Sequence, residues 1–168
     1  TLSRWESGRV RPSPEEVDLR SVATEVTAQL SVLAEDRSIT IDLALANPMI
    51  VSADPVMIRQ AVTNVLDNAI KFSREGGHIR VLGETAPDQH CLIIDDEGPG
   101  IPAEQRQRVL ERFYRIDGGR DRDSGGAGLG LAIVHWAMTA NQGRIVIDTN
   151  DAGGARVGST LRAFLLGA

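Results

Sequence analysis

Asn64, Asn68 and Lys71 recur at four- and three-residue spacing in the run Asn64-Val65-Leu66-Asp67-Asn68-Ala69-Ile70-Lys71-Phe72-Ser73. On a helix, which turns about 100° per residue, they form one polar stripe. Ile58, Ala61, Val62, Val65, Leu66, Ala69 and Ile70 surround that stripe with apolar surface. A helix buried nearly all round carries two amides and an ammonium only where something polar meets them, because an unpaired buried polar group costs free energy. Two glycine clusters downstream, Asp96-Glu97-Gly98-Pro99-Gly100-Ile101 and Gly126-Ala127-Gly128-Leu129-Gly130-Leu131, point to a phosphate-bearing ligand. Of the 18 Lys and Arg residues, Lys71 is the only lysine. A lone lysine in a chain that otherwise uses arginine suits a compact point charge held against a single phosphate. The alternative is chance survival of one lysine under an arginine bias.

Asp96-x-Gly98-x-Gly100 follows a predicted strand, and its glycines permit a tight turn and close backbone approach to a ligand. The Asp96 carboxylate, at the strand end, can accept a hydrogen bond from an exocyclic amino group, which distinguishes adenine from guanine; a bare turn is the plain alternative. Gly126-x-Gly128-x-Gly130 opens a predicted helix, whose N-terminal amides and dipole suit phosphate. It matches no Rossmann fingerprint, since no strand leads into it and its third glycine follows the second too closely. No Walker A loop exists, because the one lysine follows Ile70 rather than a glycine-rich turn.

The elements that would hold these groups follow from periodicity and punctuation. Residues 1–8 read as the last turns of a helix ending near Gly8, and Arg9 to Glu16, with Pro12 and Pro14, as a linker. Asp18 caps a predicted helix from Leu19 to Arg37, with Val22, Val26, Leu30 and Leu33 at helical spacing. Strands are predicted at Ile39–Leu43 and Met49–Ser52. Asp54 and Pro55 open the helix that carries the amides to Phe72, and Gly76-Gly77 ends it. Strands follow at His78–Glu84 and His90–Asp95, then short helical turns from Pro102 to Arg112. Residues 115–127, rich in Gly, Asp and Arg, read as a mobile loop, with a helix from Gly128 to Asn141 behind it. Strands at Gly143–Thr149 and Val157–Leu166 close the chain around a turn at Gly153-Gly154. The alternation lacks a regular βα rhythm, so the expected class is α/β (α+β): a two-layer α/β sandwich, one mixed sheet with helices on one face.

A chain of 168 residues with 42% apolar residues fits one domain with a short appendage. A net charge of −5 offers no basic field, so no nucleic acid is expected as a partner. The single cysteine, Cys91, lies in an apolar run and reads as a core strand residue. No apolar run reaches the length of a membrane span, and no signal peptide opens the chain, so no membrane contact is expected of this segment. The start at Thr1 suggests an excised fragment.

The order of the blocks adds more. An Asn helix, then Asp-x-Gly-x-Gly, then Arg112-Phe113-Tyr114-Arg115, then a glycine-rich helix start resembles the catalytic ATP-binding domain of sensor histidine kinases. That domain belongs to the wider family shared with gyrase, Hsp90 and MutL, whose nucleotide fold is the Bergerat fold. The N box resembles Asn64 to Ser73, the first glycine box Asp96 to Ile101, the F box Glu111 to Arg115, and the second glycine box Gly126 to Val134. The resemblance implies ATP bound with Mg²⁺, and an ATP lid from Arg115 to Ala127. It makes Asn68 a Mg²⁺ ligand, Asn64 a second ligand or phosphate partner, and Lys71 a phosphate ligand. Phe72 would pack near the base, Asp96 would hold adenine N6, and Arg115 would reach the terminal phosphate. The amides of Gly128, Leu129, Gly130 and Leu131 would contact phosphates. Gly98, Gly100, Ile101, Phe113, Tyr114 and Gly126 would complete the nucleotide site, and Thr160 would help to bind an adenine-side water. Residues 1–16 would be the end of a dimerisation helix and a linker, and residues 17–168 the catalytic domain. The implied partners are a dimerisation and histidine phosphotransfer domain upstream and a cognate response regulator. The implied setting is cytoplasmic, in a full-length protein that could be anchored in the inner membrane.

Hydrolytic relatives resembling gyrase or Hsp90 place a Glu four residues before the metal-binding Asn, where it activates water. Here that position is Asn64, an amide, which cannot act as a base at neutral pH. Transfer to an imidazole, which already has a lone pair, needs positioning and charge neutralisation instead. His78, His90 and His135 read as structural rather than as phosphoacceptors. Asp117, Asp121 and Asp123, alternating with Arg120 and Arg122, read as a solvated loop rather than a metal site. Two rivals stand beside the kinase reading: a catalytically silent nucleotide-binding or interaction module, and an anti-sigma-type serine kinase on the same fold.

Overall fold

The computed structural model describes residues 10–45, 47–111, 114 and 130–164. The first predicted helix end, at residues 1–8, lies outside them, as does most of the segment read as a lid.

Seven strands and four α-helices follow one another along the described residues: β1 (Glu15–Asp18), α1 (Leu19–Gln29), α2 (Ser31–Asp36), β2 (Thr40–Ala44), β3 (Ile50–Ala53), α3 (Pro55–Phe72), β4 (His78–Thr85), β5 (Gln89–Asp95), α4 (Gly130–Ala140), β6 (Arg144–Thr149) and β7 (Ala155–Arg162). Two short 3₁₀ turns, Ala103–Gln105 and Arg108–Leu110, stand between β5 and α4. The main sheet has five strands in the order β2-β4-β5-β7-β6. Only β2 and β4 run parallel; the other neighbours are antiparallel. A separate antiparallel pair, β1 and β3, meets the end of β7 through a bridge between Val51 and Ala163. The mixed sheet with helices on one face, read from the sequence, is the observed architecture.

Strand alternation decides which side is covered. Ile79, Val81, Leu92, Ile94, Val157 and Leu161 point into one core with Leu19, Val26, Ile58, Leu66, Val134 and Met138 of the helices. Each such side chain, fully buried, contributes about 1.5–3 kcal/mol relative to exposure. On α3 the buried residues recur in adjacent pairs, Met57/Ile58, Ala61/Val62, Val65/Leu66 and Ala69/Ile70, a stripe that repeats with the helical turn. Asp54 caps this helix, its Oδ1 accepting from Val56 N and Met57 N, with Pro55 in the first turn.

Two expectations are corrected. The helix read from Leu19 to Arg37 breaks at Leu30, whose φ of −94° and ψ of 5° leave helical geometry while its side chain stays in the core. The stretch read as a linker to Glu16 enters β1 at Glu15, where it pairs with Ala53. The domain boundary placed between residues 16 and 17 therefore falls inside a strand of the fold. No described helix is long and apolar enough to cross a membrane.

Candidate functional site

The amide stripe lies where the sequence places it, on α3, and it is longer than read. Gln60 Nε2 donates to Asn64 Oδ1 at 2.9 Å, and Lys71 Nζ pairs with Asp67 Oδ2 at 2.9 Å. Gln60 and Asp67, both absent from the sequence-derived site, share the face because they stand four residues before Asn64 and Lys71. Asn64 Nδ2 reaches the carbonyl of Gly130 at 3.4 Å. The Asn68 amide is half-buried and has no hydrogen-bond partner among the described residues. It lies against the first residue of α4: a Cβ built on Gly130 would stand 3.0 Å from its Nδ2 and 3.2 Å from its Oδ1.

The other end of α3 seats the Asp96 loop. A Cβ on Gly98 would fall 2.6 Å from the carbonyl oxygen of Phe72. Glu97 N donates to Ser73 Oγ at 3.4 Å, and Glu97 pairs with Arg74 at 2.8 Å. That hydrogen bond holds the Glu97 carboxyl below its usual pKa. The last carbonyls of α3 are satisfied by Arg37, whose guanidinium donates to Ile70 O, to Lys71 O at 2.6 Å and to Ser73 O at 2.7 Å. Such a cation complements the negative end of the helix dipole. Arg37 was missed in the sequence because its partners lie more than 30 residues away.

One glycine of each cluster thus rests on the same helix, Gly130 at Asn68 and Gly98 at Phe72, about 6 Å apart along its axis. Lys71 lies between them.

Asp96 is held with care. Its Oδ1 accepts from Gly98 N at 2.9 Å and from Ala155 N at 2.9 Å, while Oδ2 has no partner among the described residues. Burial raises its pKa, and those two backbone donors partly offset the rise. The β6–β7 turn closes over the other side. Gly153 O lies 2.6 Å from where a Cβ on Gly100 would stand, and Gly100 has a φ of +74°, which suits glycine. Arg106 ties the loop to the same turn, donating to Ile101 O at 3.2 Å and to Thr149 Oγ1 at 2.7 Å.

Other expected site residues are distributed unevenly. Phe72 is half-exposed at the last position of α3. Tyr114 packs on the 3₁₀ turns, its hydroxyl 3.3 Å from Gln105 Oε1 and the Arg108 guanidinium 5.5 Å from its ring centre. Leu131 is half-buried in the first turn of α4. Thr160 is not brought to this group. It stands opposite Cys91 on the sheet face turned away from the helical core, four residues along β7 from Arg156 on the rung of Asp95, or about 13 Å away. The β7 residue beside Asp96 is Ala155. Cys91 is half-buried on that same face, and burial pushes its thiol pKa up, against a reactive role. Phe113, Arg115, Gly126, Gly128 and Leu129 lie outside the described residues.

The group fits a nucleotide with its divalent cation. A fixed carboxylate with one open oxygen suits an exocyclic amine, and a free amide oxygen beside an ammonium suits a hydrated Mg²⁺ and phosphates. The family described as "Histidine kinase-, DNA gyrase B-, and HSP90-like ATPase" matches residues 53–164. The adaptive-response sensory kinase SasA of Nostoc is 42% identical over 68% of this chain and 28% of its own length. The histidine-protein kinase/phosphatase MprB of Mycolicibacterium smegmatis is 34% identical over 99% of this chain and 32% of its own. The structure of full-length ShkA in complex with AMPPNP superposes with a TM-score of 0.84 at 27% identity, covering 98% of this chain and 34% of that one. The chain therefore spans about a third or less of the length of these relatives. It belongs to the histidine kinase-, DNA gyrase B- and HSP90-like ATPase family and is homologous to the ATP-binding domains of sensor histidine kinases.

Proposed function

We propose that this chain binds ATP with Mg²⁺ and presents the terminal phosphate to a histidine on a dimerisation domain, in a two-component pathway that continues to a response regulator. The observation that carries the reading is the convergence on α3: Gly98 of one glycine cluster and Gly130 of the other pack on the helix that bears Asn64, Asn68 and Lys71. Asn68, with Asn64, would hold Mg²⁺, which when bound neutralises charge on the phosphate oxygens. Asn68 suits this because its amide is half-buried with no partner among the described residues, whereas Asn64 Oδ1 already accepts from Gln60. Lys71 would exchange its contact with Asp67 for a phosphate oxygen, a change between two exposed-side partners that costs little. Asp96 Oδ2 would accept from adenine N6 and orient the base. No carboxylate stands at position 64 to activate water, which favours transfer over hydrolysis. Arg115 would meet the terminal phosphate, as the family resemblance implies.

Calorimetric titration of this chain with a non-hydrolysable ATP analogue, with and without Mg²⁺, tests the binding half. Saturable, Mg²⁺-enhanced binding is expected, and none at millimolar analogue would overturn it. Supplying a histidine-bearing dimerisation domain in trans tests transfer. An acid-labile label on that domain is expected; an acid-stable label would instead point to a serine kinase.

A further inference from the structure

From the geometry of the β6–β7 turn, we infer that Asn150 is a positioning residue for base recognition: its side-chain amide fixes the orientation of the Asp96 carboxylate and thereby sets adenine over guanine. The inference rests on the nucleotide reading of the site.

Asn150 stands just after β6 and is half-buried. Its Nδ2 donates to Asp96 O at 2.8 Å and to Ala155 O at 3.2 Å. Its Oδ1 accepts from Ala152 N at 3.1 Å and from Gly154 N at 3.0 Å. A primary amide has two N–H donors and two acceptor lone pairs, and here all four are used. Two carbonyls on one side and two N–H groups on the other leave a single consistent orientation of the amide, so the assignment of O and N is forced by the network. The backbone of Asn150 closes the turn as well, its N donating to Gly154 O and its O accepting from Gly153 N, each at 3.0 Å.

The link to the carboxylate is short. Asp96 N donates to Ala155 O at 3.0 Å, and Ala155 N donates to Asp96 Oδ1 at 2.9 Å. Asn150 Nδ2 therefore bonds to both members of this reciprocal pair. Gly154 brings the turn so close that a Cβ there would fall 2.0 Å from Asp96 O. The turn holds one carboxylate oxygen and leaves the other open. If it relaxes, the Ala155 N–H moves off Oδ1, the carboxylate can rotate, and Oδ2 no longer has one fixed direction toward the base. Positioning of this kind is worth most where an acceptor must match a donor on one purine and face an acceptor on the other.

The test uses this chain with Asn150→Asp and Asn150→Ala, each checked for folding by circular dichroism. Asn150→Asp is nearly isosteric and keeps the acceptor toward Ala152 and Gly154, but sets an oxygen against two carbonyl oxygens. Affinities for non-hydrolysable analogues of ATP and GTP are measured for each. The expected result is a loss of about ten-fold in ATP affinity with GTP affinity little changed, so that the ATP:GTP ratio falls by the same factor. In an Asp96→Asn background the same substitutions should change ATP affinity less than about two-fold, since a residue acting through the Asp96 carboxylate cannot add to its loss. A wild-type ATP:GTP ratio retained by folded variants, whatever their melting temperature, would overturn the inference and leave the nucleotide reading standing. Absence of ATP binding by the wild type would overturn both.

Discussion

Gly130 lies tightly against Asn68: a Cβ at position 130 would sit 3.0 Å from the amide nitrogen and 3.2 Å from the amide oxygen, so the amide would have to give way by a few tenths of an ångström. Gly130 is also the first residue of α4, so its backbone serves the helix start and its lack of a side chain serves the amide. These two roles predict opposite effects of one substitution. Gly130→Ala should leave stability unchanged or raise it by up to about 1 kcal/mol, because alanine favours a helix over glycine. It should weaken Mg²⁺-dependent ATP binding about ten-fold or more by displacing the Asn68 amide. Thermal denaturation and calorimetry on the same sample decide it. A variant that binds Mg-ATP as the wild type does would mean that the close approach is packing alone.

Asn68→Ala removes the amide itself. The expected outcome is a folded protein whose affinity for nucleotide no longer responds to Mg²⁺, since little of the α3 core is touched. Titration over a range of Mg²⁺ at fixed analogue concentration checks this. An unchanged Mg²⁺ dependence would move the metal ligand elsewhere.

Asp96→Asn has a more specific expectation than simple weakening. The oxygen at Oδ1 is committed to two N–H groups, from Gly98 and Ala155. An asparagine must keep its carbonyl there, which turns its NH₂ outward, donor against the donor of adenine N6. Guanine presents a carbonyl at that position instead. The ATP:GTP ratio should therefore fall by about ten-fold or more and could invert. The pH dependence follows from the same carboxyl. Burial raises its pKa above the ordinary value of 3.8, and only the ionised form offers an acceptor at both oxygens. As pH falls, ATP affinity should begin to drop while an ordinary aspartate is still ionised, and Asp96→Asn should lack this acid limb. Parallel pH profiles for the two proteins would assign the limb to another group.

Much of this was legible because it is local or periodic. The α3 stripe follows from two spacings, and its cap from Asp54-Pro55. The glycine clusters were readable by order along the chain. What failed to show was set by distant pairing. The strand at Glu15–Asp18 exists because residues 50–53 lie beside it, and nothing in its own four residues demands it. The break at Leu30 has no proline or glycine to mark it, and the helical spacing runs through it. Thr160 was expected beside an adenine-side water, yet register puts it opposite Cys91, and the turn Gly153-Gly154-Ala155 is what reaches Asp96. Asn150 reads as an ordinary turn residue until its four partners are seen.

Asp95 and Arg156 form a two-pronged pair, Nε to Oδ1 and Nη2 to Oδ2, both at 2.8 Å, with the Asp95 side chain only 10% exposed. They are the centre of a row across all five strands, Asp42, Arg80, Asp95, Arg156 and Asp148, in which opposite charges face each other in register. The pair raises the pKa of Arg156 still further above its already high value. Arg156→Ala strands a buried carboxylate and should destabilise the fold by about 2–3 kcal/mol. Urea denaturation measures this. A change below about 0.5 kcal/mol would show that Arg80 or water takes over the carboxylate.

The last prediction concerns the end of α4, which closes in left-handed backbone without a glycine. Gln142 has a φ of +61°, its N donates to Thr139 O at 3.1 Å, and Gly143 N donates to Met138 O at 2.7 Å. This is the 6→1 and 5→2 pattern of a Schellman cap, with glutamine at the position that favours glycine. A side chain there costs about 1 kcal/mol relative to glycine because Cβ crowds the following carbonyl. The same junction carries Asn141, whose buried amide accepts from Asp54 N at 2.8 Å and donates to Ala137 O at 2.8 Å, so it ties the end of α4 to the start of α3. Gln142→Gly should keep that tie, relax the strained cap and stabilise the domain by roughly 0.5–1 kcal/mol. Nucleotide affinity should not change, since this turn lies at the end of α4 away from Gly130. Chemical denaturation with a parallel titration of the ATP analogue separates the two effects. Lower stability in Gln142→Gly would mean that the glutamine side chain makes a compensating contact, and altered affinity would mean that the cap and the Asn68 face are coupled through α4.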